Sequence, residues 1–467
     1  MKISVGSDSA PKRAVTVRFV PKDARGKIVP AVAEAEFSGK RNALFYARAE
    51  RVLYVGLGER SGIDNAIFRA AGGAATLHLK KIGEHHVALE MAGWPEFVGP
   101  CVEGALLADY RFERFKTKQT PRLAGLSVHL RSDDVREASR AARHSQVVAD
   151  AVNEVREIGN LPGNLLYPGS LAEKAKQMAT HYKLGISVLD EKILQKRKFG
   201  GLLAVGQGSI RPPRLIALEH RGGPKNQAPV ALVGKAITFD TGGISIKPAG
   251  NMEEMIFDKC GGIAVLGAMA ALAALGVKRN VVGIIASAEN MPGGNAYRPG
   301  DIITTYSGKH VEIVNTDAEG RVVLADAIAY AREDCGAAAI VDLATLTGAC
   351  GVALGDYAAG FWSNDDGLRN RVLNAADQAG ERLWPMPLYE EYETQIKSDV
   401  ALVKNSGGRL GGACTAAAFL KTFAEDTPWA HLDIAYTSHR EKDQPHLARG
   451  ATGFGIRTLV GLVERWS

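Results

Sequence analysis

Residues 315–321 read Asn-Thr-Asp-Ala-Glu-Gly-Arg and place three charged side chains at alternate positions. Asp317 and Glu319 could chelate a divalent cation, and Arg321 could hold an anionic group against it. The apolar residues before this stretch predict a strand, and those after it recur at helical spacing, so the charges fall on a strand-to-helix turn. Open parallel sheets keep active sites at such turns. A helix N-terminus with solvated acids explains this stretch alone equally well.

A second set of charged side chains lies within residues 233–262. Lys235 sits in an apolar run, and Asp240, Lys247 and Asp258 follow it. Desolvation lowers the pKa of a lysine and favours the neutral amine, which can bind a metal. Together the two stretches supply four acidic residues and two lysines, with an arginine close behind. This set favours a two-metal hydrolytic site over a single structural ion or ordinary ion pairs.

Both stretches closely resemble those of the leucyl (cytosol) aminopeptidases, the two-metal exopeptidases of the M17 family. The family signature is the same Asn-Thr-Asp-Ala-Glu-Gly-Arg, and the segment Asp-x-Gly-Gly-Ile-Ser-Ile-Lys-Pro also matches in spacing. The resemblance extends from about residue 160 to the C-terminus and is weaker before it. It implies a hydrolase that removes the N-terminal residue from peptides in intracellular peptide turnover.

The resemblance also implies a role for each charged residue. Two divalent cations per subunit, Mn²⁺ or Zn²⁺ with Mg²⁺ or Co²⁺ as alternatives, would be held by a neutral lysine and four carboxylates, with Asp240 and Glu319 as bridges. The implied metal ligands are Lys235, Asp240, Asp258, Asp317 and Glu319. Cations this close lower the pKa of a shared water to about 7. Lys247 would stay protonated and stabilise the oxyanion, and Arg321 would position a bicarbonate as general base.

Substrate binding is implied for two further segments. In the family, the loop that matches residues 343–349 lines the substrate cleft, and Thr345, Gly348 and the more distant Met255 lie at the pocket for the N-terminal side chain. Such a pocket is apolar and favours leucine- or methionine-like residues. The family typically assembles as a homohexamer, so a homohexamer acting on peptide substrates is expected.

Length and composition place these motifs in a globular protein. The chain has 467 residues, of which 46% are hydrophobic and 23% charged, so two or three domains are expected. A net charge of +6 over this length does not by itself indicate nucleic-acid binding. No segment reaches the apolar length of a bilayer span, and the N-terminus lacks a signal core, so a cytoplasmic location without membrane association is expected. Five scattered cysteines fit reduced thiols.

The order of apolar runs predicts an α/β protein with a small N-terminal α/β domain and a larger C-terminal one. Residues 1–132 form the first domain, with a strand expected among others at residues 76–79. Residues 133–159 predict a linker helix. Residues 160–467, the predicted catalytic metallopeptidase domain, alternate apolar strands with helices. This alternation predicts a mostly parallel sheet covered by helices.

Two alternative functions stay open. Residues 110–122 carry five basic side chains with two interleaved phenylalanines. This pattern permits DNA binding, although a solvated strand is the favoured interpretation. The other alternative is a catalytically inactive structural relative, and the complete set of implied metal ligands argues against it.

Overall fold

A computed structural model describes residues 3–7, 10–28 and 36–466 of the chain. The chain divides into two compact units. The first contains Met1–Asn153 and Glu441–Gly450, and the second contains Glu154–Arg440 and Ala451–Ser467.

The unit boundary lies inside a long helix, Val135–Gly159. The sequence predicted this helix as a separate linker at residues 133–159 and placed everything after it in one domain. The structure differs in two respects: the helix is shared between the units, and residues 441–450 belong to the first unit. The chain thus returns to the first unit at residues 441–450. No change of composition marks this return, because the segment is short and polar.

The first unit is built around a six-stranded sheet. In chain order its strands are β1 (Ile3–Gly6), β2 (Val15–Pro21), β3 (Leu44–Ala47), β4 (Val52–Gly58), β5 (His86–Glu90) and β6 (Gly125–His129). The spatial order is β1-β6-β5-β2-β4-β3, with β4 and β3 antiparallel and the other pairs parallel. Its helices are Arg25–Ile28, Asn65–Lys81 and Val98–Asp109, with the first part of Val135–Gly159. Short 3-10 helices cover Lys22–Ala24, Arg60–Gly62, Pro95–Phe97 and Ser132–Asp134.

The strand predicted at residues 76–79 is wrong, because these residues lie inside the helix Asn65–Lys81. A short apolar run looks the same in a buried helix and in a strand. The helix is buried because it packs closely on Val98–Asp109. Gly72 permits this contact, since a Cβ there would lie 2.2 Å from the carbonyl oxygen of Cys101.

The second unit contains an eight-stranded sheet and a three-stranded one. Its strands are β7 (Gly185–Leu189), β8 (Arg214–Arg221), β9 (Val230–Asp240), β10 (Asn280–Asn290), β11 (Ile302–Thr304), β12 (His310–Glu312), β13 (Ala339–Ala344), β14 (Ala359–Ser363), β15 (Leu383–Pro385), β16 (Val403–Lys404), β17 (Trp429–Asp433) and β18 (His439–Arg440). The two-residue strand β19 (Gly450–Ala451) lies at the point where the chain passes from the first unit to the second. The spatial order of the large sheet is β15-β14-β17-β13-β9-β10-β8-β7, and that of the small sheet is β11-β12-β16.

The helices of the second unit alternate with these strands. After the end of Val135–Gly159 they are Pro168–Tyr182, Glu191–Lys196, Gly200–Gly206, Cys260–Leu275, Glu319–Glu333, Gly348–Leu354, Asp366–Ala379, Glu390–Gln395, Gly412–Ala424 and Ile456–Glu464, with a 3-10 helix at Met252–Phe257. The predicted fold class is confirmed: a small α/β unit is followed by a larger one whose central strands are parallel.

Four neighbouring strands at the centre of the large sheet, β17, β13, β9 and β10, run parallel. Their carboxyl ends therefore meet at one edge. In register, Asn290 at the end of β10 pairs with Asp240 at the end of β9, and Asp433 at the end of β17 pairs with Ala344 of β13. Polar side chains that are far apart in the sequence are thus placed side by side at the edge where ligands bind in such sheets.

The two faces of strand β9 contact different helices. Gly234 faces Cys260–Leu275, because a Cβ there would lie 2.6 Å from the Gly262 Cα. Ala231 and Val233 instead belong to the core formed with Glu319–Glu333. Since strand side chains alternate, Lys235 lies on the latter face, directed at the helix that begins with Glu319.

Met252–Leu275 has the length and apolar composition of a membrane span, contrary to the expectation that no segment reaches them. Most of its apolar window is buried inside the protein. Its α-helical part, Cys260–Leu275, is therefore a core helix, which packs against strands β8, β9, β10 and β13.

Asp326 ties the start of the helix Gly200–Gly206 and one loop to the helix Glu319–Glu333. It is fully buried, and its carboxylate accepts the backbone N–H of Leu202 at 2.8 Å and of Tyr306 at 2.7 Å. In Asp326→Asn the amide nitrogen would face one of these donors. We expect the free energy of unfolding, measured by urea denaturation, to fall by about 1–3 kcal/mol. Asp366→Asn, at a side chain that is 93% exposed, is the control and should stay within about 0.5 kcal/mol; equal effects would contradict this role.

Candidate active site

Three carboxylates lie together at the carboxyl edge of the central strands. One oxygen each of Asp240, Asp317 and Glu319 lies within 4.8 Å of the other two. Asp240 ends β9, whereas Glu319 begins the helix Glu319–Glu333 and Asp317 precedes it by two residues. Asp240 and Glu319 are buried and Asp317 is half-buried. The structure therefore joins both charged stretches of the sequence in an arrangement that could hold a divalent cation.

Lys235 connects this cluster to Asp258. Its Nζ lies 2.7 Å from Asp258 Oδ1 and 2.8 Å from Glu319 Oε1, and it donates to the Thr345 carbonyl oxygen at 2.8 Å. Gly320 permits this approach, because a Cβ there would lie 2.7 Å from the end of the Lys235 side chain. Packing against Lys235 therefore explains why the 315–321 motif has glycine at position 320.

The protein groups alone do not make Lys235 neutral. Burial lowers the pKa of its amine, as predicted from the sequence, but Asp258, Glu319 and Asp240 together raise it by more, so the net pKa is raised. The prediction of a neutral amine rested on burial and did not include these carboxylates. Lys235 can therefore serve as an amine ligand only where cations displace its proton.

Lys247 lies on the other side of the carboxylates. Its Nζ is 2.8 Å from Asp240 Oδ2 and forms an ion pair with Asp317 Oδ1. Burial lowers the pKa of Lys247, but Asp240 and the neighbouring carboxylates raise it by more, so the net pKa is raised. The side chain is 22% exposed, in contrast to the buried Lys235. Lys247 is thus a protonated donor at the accessible side of the cluster.

Asp240 is held by two donors. Its Oδ1 accepts the Gly242 backbone N–H at 2.9 Å and the Asn290 side-chain N–H at 2.8 Å, which leaves Oδ2 facing Lys247. Gly242 and Gly243 have φ of +87° and +66°, a region that favours glycine, so the glycine pair forms this turn. Asn290 was missed by the sequence analysis, because its role depends on the register of β9 with β10.

Arg321 is buried in the first turn of Glu319–Glu333. Its Nη1 donates to the Asn405 carbonyl at 2.9 Å, and its Nε has no hydrogen-bond partner among the residues described. Burial lowers the pKa of Arg321 to about 10, against the opposing charges of Glu319 and Asp433, so the guanidinium stays charged at neutral pH. A buried N–H without a partner fits an anionic group at this place.

Asn405 is a second residue that sequence reasoning missed. Its Oδ1 accepts the backbone N–H of Val314 at 2.9 Å, and its Nδ2 donates to the Asn315 carbonyl at 2.6 Å. Its own carbonyl receives Arg321. Asn405 therefore fixes both ends of the charged turn, and no spacing in the sequence signals this, since it lies some ninety residues away.

The three predicted substrate-binding residues lie in different surroundings. Thr345 is buried, and its Oγ1 donates to Asp258 Oδ1 at 2.8 Å, so it belongs to the charged cluster. Gly348 begins an exposed helix, and a Cβ added there would meet open space. Met255 is half-buried in Met252–Phe257, and its carbonyl accepts the Asp258 N–H at 3.3 Å. The substrate-binding roles of these residues stay predictions.

The donor set fits divalent cations. Four carboxylates surround two ammonium groups, so the cluster carries net negative charge inside the protein. Burial raises the pKa of Asp258 and of Glu319, as expected where countercharge is insufficient. Asp258 Oδ2 is also buried without a hydrogen-bond partner among the described parts of the chain. Carboxylate oxygens of this kind are ligands for Mg²⁺, Mn²⁺ and Zn²⁺.

The basic segment at residues 110–122 is separate from this cluster in the sequence and lies in the first unit. Arg111 pairs with Asp443 at 2.7 Å, and Lys116 lies 3.7 Å from Glu113. The guanidinium of Arg122 lies 5.3 Å from the ring centre of Tyr110. Part of the basic charge is thus engaged within the protein, and DNA binding stays an untested alternative.

Comparison with known proteins gives two family matches. The catalytic domain of the cytosol aminopeptidase family matches residues 153–460, and the N-terminal domain of that family matches residues 5–119. The first unit, which the sequence motifs did not identify, is therefore also similar to this family.

Individual relatives agree with these matches. The chain is 46% identical over 431 residues to a probable cytosol aminopeptidase of Syntrophotalea carbinolica. The matched region covers 89% of this chain and 86% of the relative. The chain is 45% identical over 456 residues to one of Solibacter usitatus, which covers 95% and 94%. Among solved structures, the bottromycin maturation enzyme BotP in complex with Mn is similar, with a TM-score of 0.87, 32% identity, and coverage of 97% of this chain and 99% of that one.

Proposed function

Because the chain belongs to the cytosol aminopeptidase family and is a metal-dependent aminopeptidase, we propose that it removes leucine- or methionine-like N-terminal residues from peptides with two divalent cations. The observation that carries this proposal is the convergence of four carboxylates and two lysines at the carboxyl edge of the sheet. The relatives are named cytosol aminopeptidases, which supports a cytoplasmic location, and intracellular peptide turnover is the proposed role.

Five side chains would hold the cations: Lys235, Asp240, Asp258, Asp317 and Glu319. Mn²⁺ is supported by the BotP structure, and Zn²⁺ accepts the same ligands. Bound cations would stabilise developing negative charge and supply hydroxide at neutral pH by lowering the pKa of water to about 7.

Two charged side chains of the protein would contribute to catalysis beside the cations. Lys247, protonated and partly accessible, would donate to the oxygen of the scissile carbonyl as negative charge develops on it. Arg321 would hold a small anion such as bicarbonate through its unpartnered Nε and keep that anion beside the carboxylate cluster as a proton acceptor. Lys247 and Arg321 are therefore proposed as the catalytic residues.

The substrate pocket is proposed to lie beside Thr345. Thr345 contacts the cluster directly, and the open space at Gly348 leaves room for a side chain. Met255 would supply an apolar wall. A homohexamer is proposed from the family resemblance alone.

The proposal is tested by the release of p-nitroaniline from leucine-p-nitroanilide. Protein stripped with a chelator should be inactive, and titration with Mn²⁺ should restore activity. N-acetyl-leucine-p-nitroanilide is the matched control and should not be cleaved, because an exopeptidase of this class acts on a free N-terminus. Absence of activity with Mn²⁺, Zn²⁺ and Co²⁺, and with several N-terminal residues, would overturn the enzyme assignment.

A further inference from the structure

We infer that Asp433 is a positioning residue that holds the loop 345–348 against the metal ligands and the substrate; the inference rests on the proposed function. Asp433 ends strand β17 and is 1% exposed. Its Oδ1 accepts the backbone N–H of Leu346 at 3.1 Å and of Ala435 at 3.2 Å, and its Oδ2 accepts the Thr347 hydroxyl at 2.6 Å. One buried carboxylate thus fixes the backbone and a side chain of the same loop.

The loop carries this restraint to the charged cluster. Thr345 precedes Leu346, and both its polar groups are engaged: its carbonyl accepts Lys235 Nζ at 2.8 Å, and its Oγ1 donates to Asp258 Oδ1 at 2.8 Å. A rotation of the peptide unit between Thr345 and Leu346 would move this carbonyl. Asp433, which binds the N–H of that same peptide unit, therefore sets the direction in which the carbonyl faces Lys235.

Thr347 extends the restraint to the start of the next helix. Its hydroxyl has one hydrogen, which goes to Asp433, and it accepts the Cys350 N–H at 3.1 Å. The hydroxyl therefore caps Gly348–Leu354 in an orientation that Asp433 determines. Gly348 lies between these two contacts. The Asp433 carboxylate thus orients the contacts of Thr345 with the implied ligands Lys235 and Asp258. On the other side of the loop it orients the open surface at Gly348.

Asp433 accepts all three hydrogen bonds through a negatively charged carboxylate. Asn in place of Asp would keep the volume and remove this charge. It would also turn one acceptor oxygen into a donor, which cannot accept the hydrogen bonds that Asp433 receives.

Glu381 is the control, because it is a buried carboxylate of the same unit that accepts backbone N–H and threonine hydroxyl groups elsewhere, in addition to its ion pair with Arg457 at 3.3 Å. It is 2% exposed and accepts the N–H of Gly455 and of Thr458, each at 3.0 Å, and the Thr458 hydroxyl at 2.6 Å. These contacts hold the start of Ile456–Glu464. Glu381→Gln should therefore lower the melting temperature and leave the site unchanged.

The test measures Mn²⁺ affinity by calorimetry, together with kcat and KM for leucine- and alanine-p-nitroanilide, in the full chain. Asp433→Asn should weaken Mn²⁺ binding about 10- to 100-fold, as expected for loss of a group that orients a ligand. It should also reduce the preference for leucine over alanine, because Gly348 is displaced. Thr347→Val, which removes only the hydroxyl contacts, should produce the same changes to a smaller degree and serves if Asp433→Asn does not fold.

Two results would overturn the inference. If Asp433→Asn and Thr347→Val changed only the melting temperature, as Glu381→Gln should, Asp433 would be purely structural, and the proposed function would stand. A wild type that binds none of Mn²⁺, Zn²⁺ and Co²⁺ would overturn the inference and the proposed function together. If the wild type bound Mn²⁺ without cleaving either substrate, the proposed function would fail, whereas the effect of Asp433 on Mn²⁺ affinity would still decide the inference.

Discussion

Replacing Lys247 with alanine should lower kcat for leucine-p-nitroanilide by about 100- to 1,000-fold, the loss seen when one oxyanion donor is removed. The ammonium is the partly exposed cation of the cluster and faces Asp240 and Asp317. Its raised pKa keeps it protonated at neutral pH, so the donor is present throughout turnover. KM should change much less than kcat, because the donor acts on charge that develops only in the transition state.

Lys309→Ala is the control for this experiment. Lys309 is 23% exposed, almost the same as Lys247, and it also pairs with a carboxylate, Glu425, at 2.6 Å. Its ion pair lies outside the carboxylate cluster, so kcat should stay within about twofold of the wild type if exposed pairs contribute little. Comparable losses of kcat in both variants, or none in Lys247→Ala, would remove the oxyanion role.

The charged residues of the candidate site could be found from the sequence because they occur in two short stretches. Asp317, Glu319 and Arg321 alternate within one turn, and Lys235 and Asp240 share one strand. Neighbours of this kind stay neighbours after folding, since the local structure fixes their separation. The resemblance then joined the two stretches, which spacing alone could not do.

The residues that hold these groups could not be found in the same way. Asn290, Asn405 and Asp433 are single polar residues at strand ends or in a loop, without a motif around them. Asn290 reaches Asp240 only because β10 pairs with β9 in one particular register. Register depends on long-range pairing, and it is not visible in a single sequence.

The direction of the pKa shift of Lys235 also could not be predicted from the sequence. The apolar run around Lys235 correctly indicates burial, which favours the neutral amine. It does not reveal that Asp258 and Glu319 lie within 2.8 Å of that amine and, together with Asp240, reverse the direction of the pKa shift. The sign of a pKa shift at a buried site therefore needs the distances as well as the burial.

Asp240→Asn should weaken Mn²⁺ binding by at least about 100-fold, since loss of a direct ligand should cost no less than loss of an outer-shell partner. The amide oxygen could still accept the N–H groups of Gly242 and Asn290. The amide nitrogen would then replace Oδ2 and face the Lys247 ammonium, so two donors would oppose each other. Calorimetric titration of the stripped protein measures the affinity directly.

Asp326→Asn is the control for this experiment, because it makes the same substitution at another buried carboxyl group of the second unit that also accepts backbone N–H groups. Asp326→Asn should lose stability and keep Mn²⁺ affinity, whereas Asp240→Asn should lose affinity and keep most of its stability. Neutralising Asp240 relieves its repulsion with Asp317 and Glu319, which offsets the loss of its ion pair with Lys247. If Asp240→Asn bound Mn²⁺ as tightly as the wild type, Asp240 would not be a metal ligand. Its buried negative charge would then only balance the charges of Lys235 and Lys247.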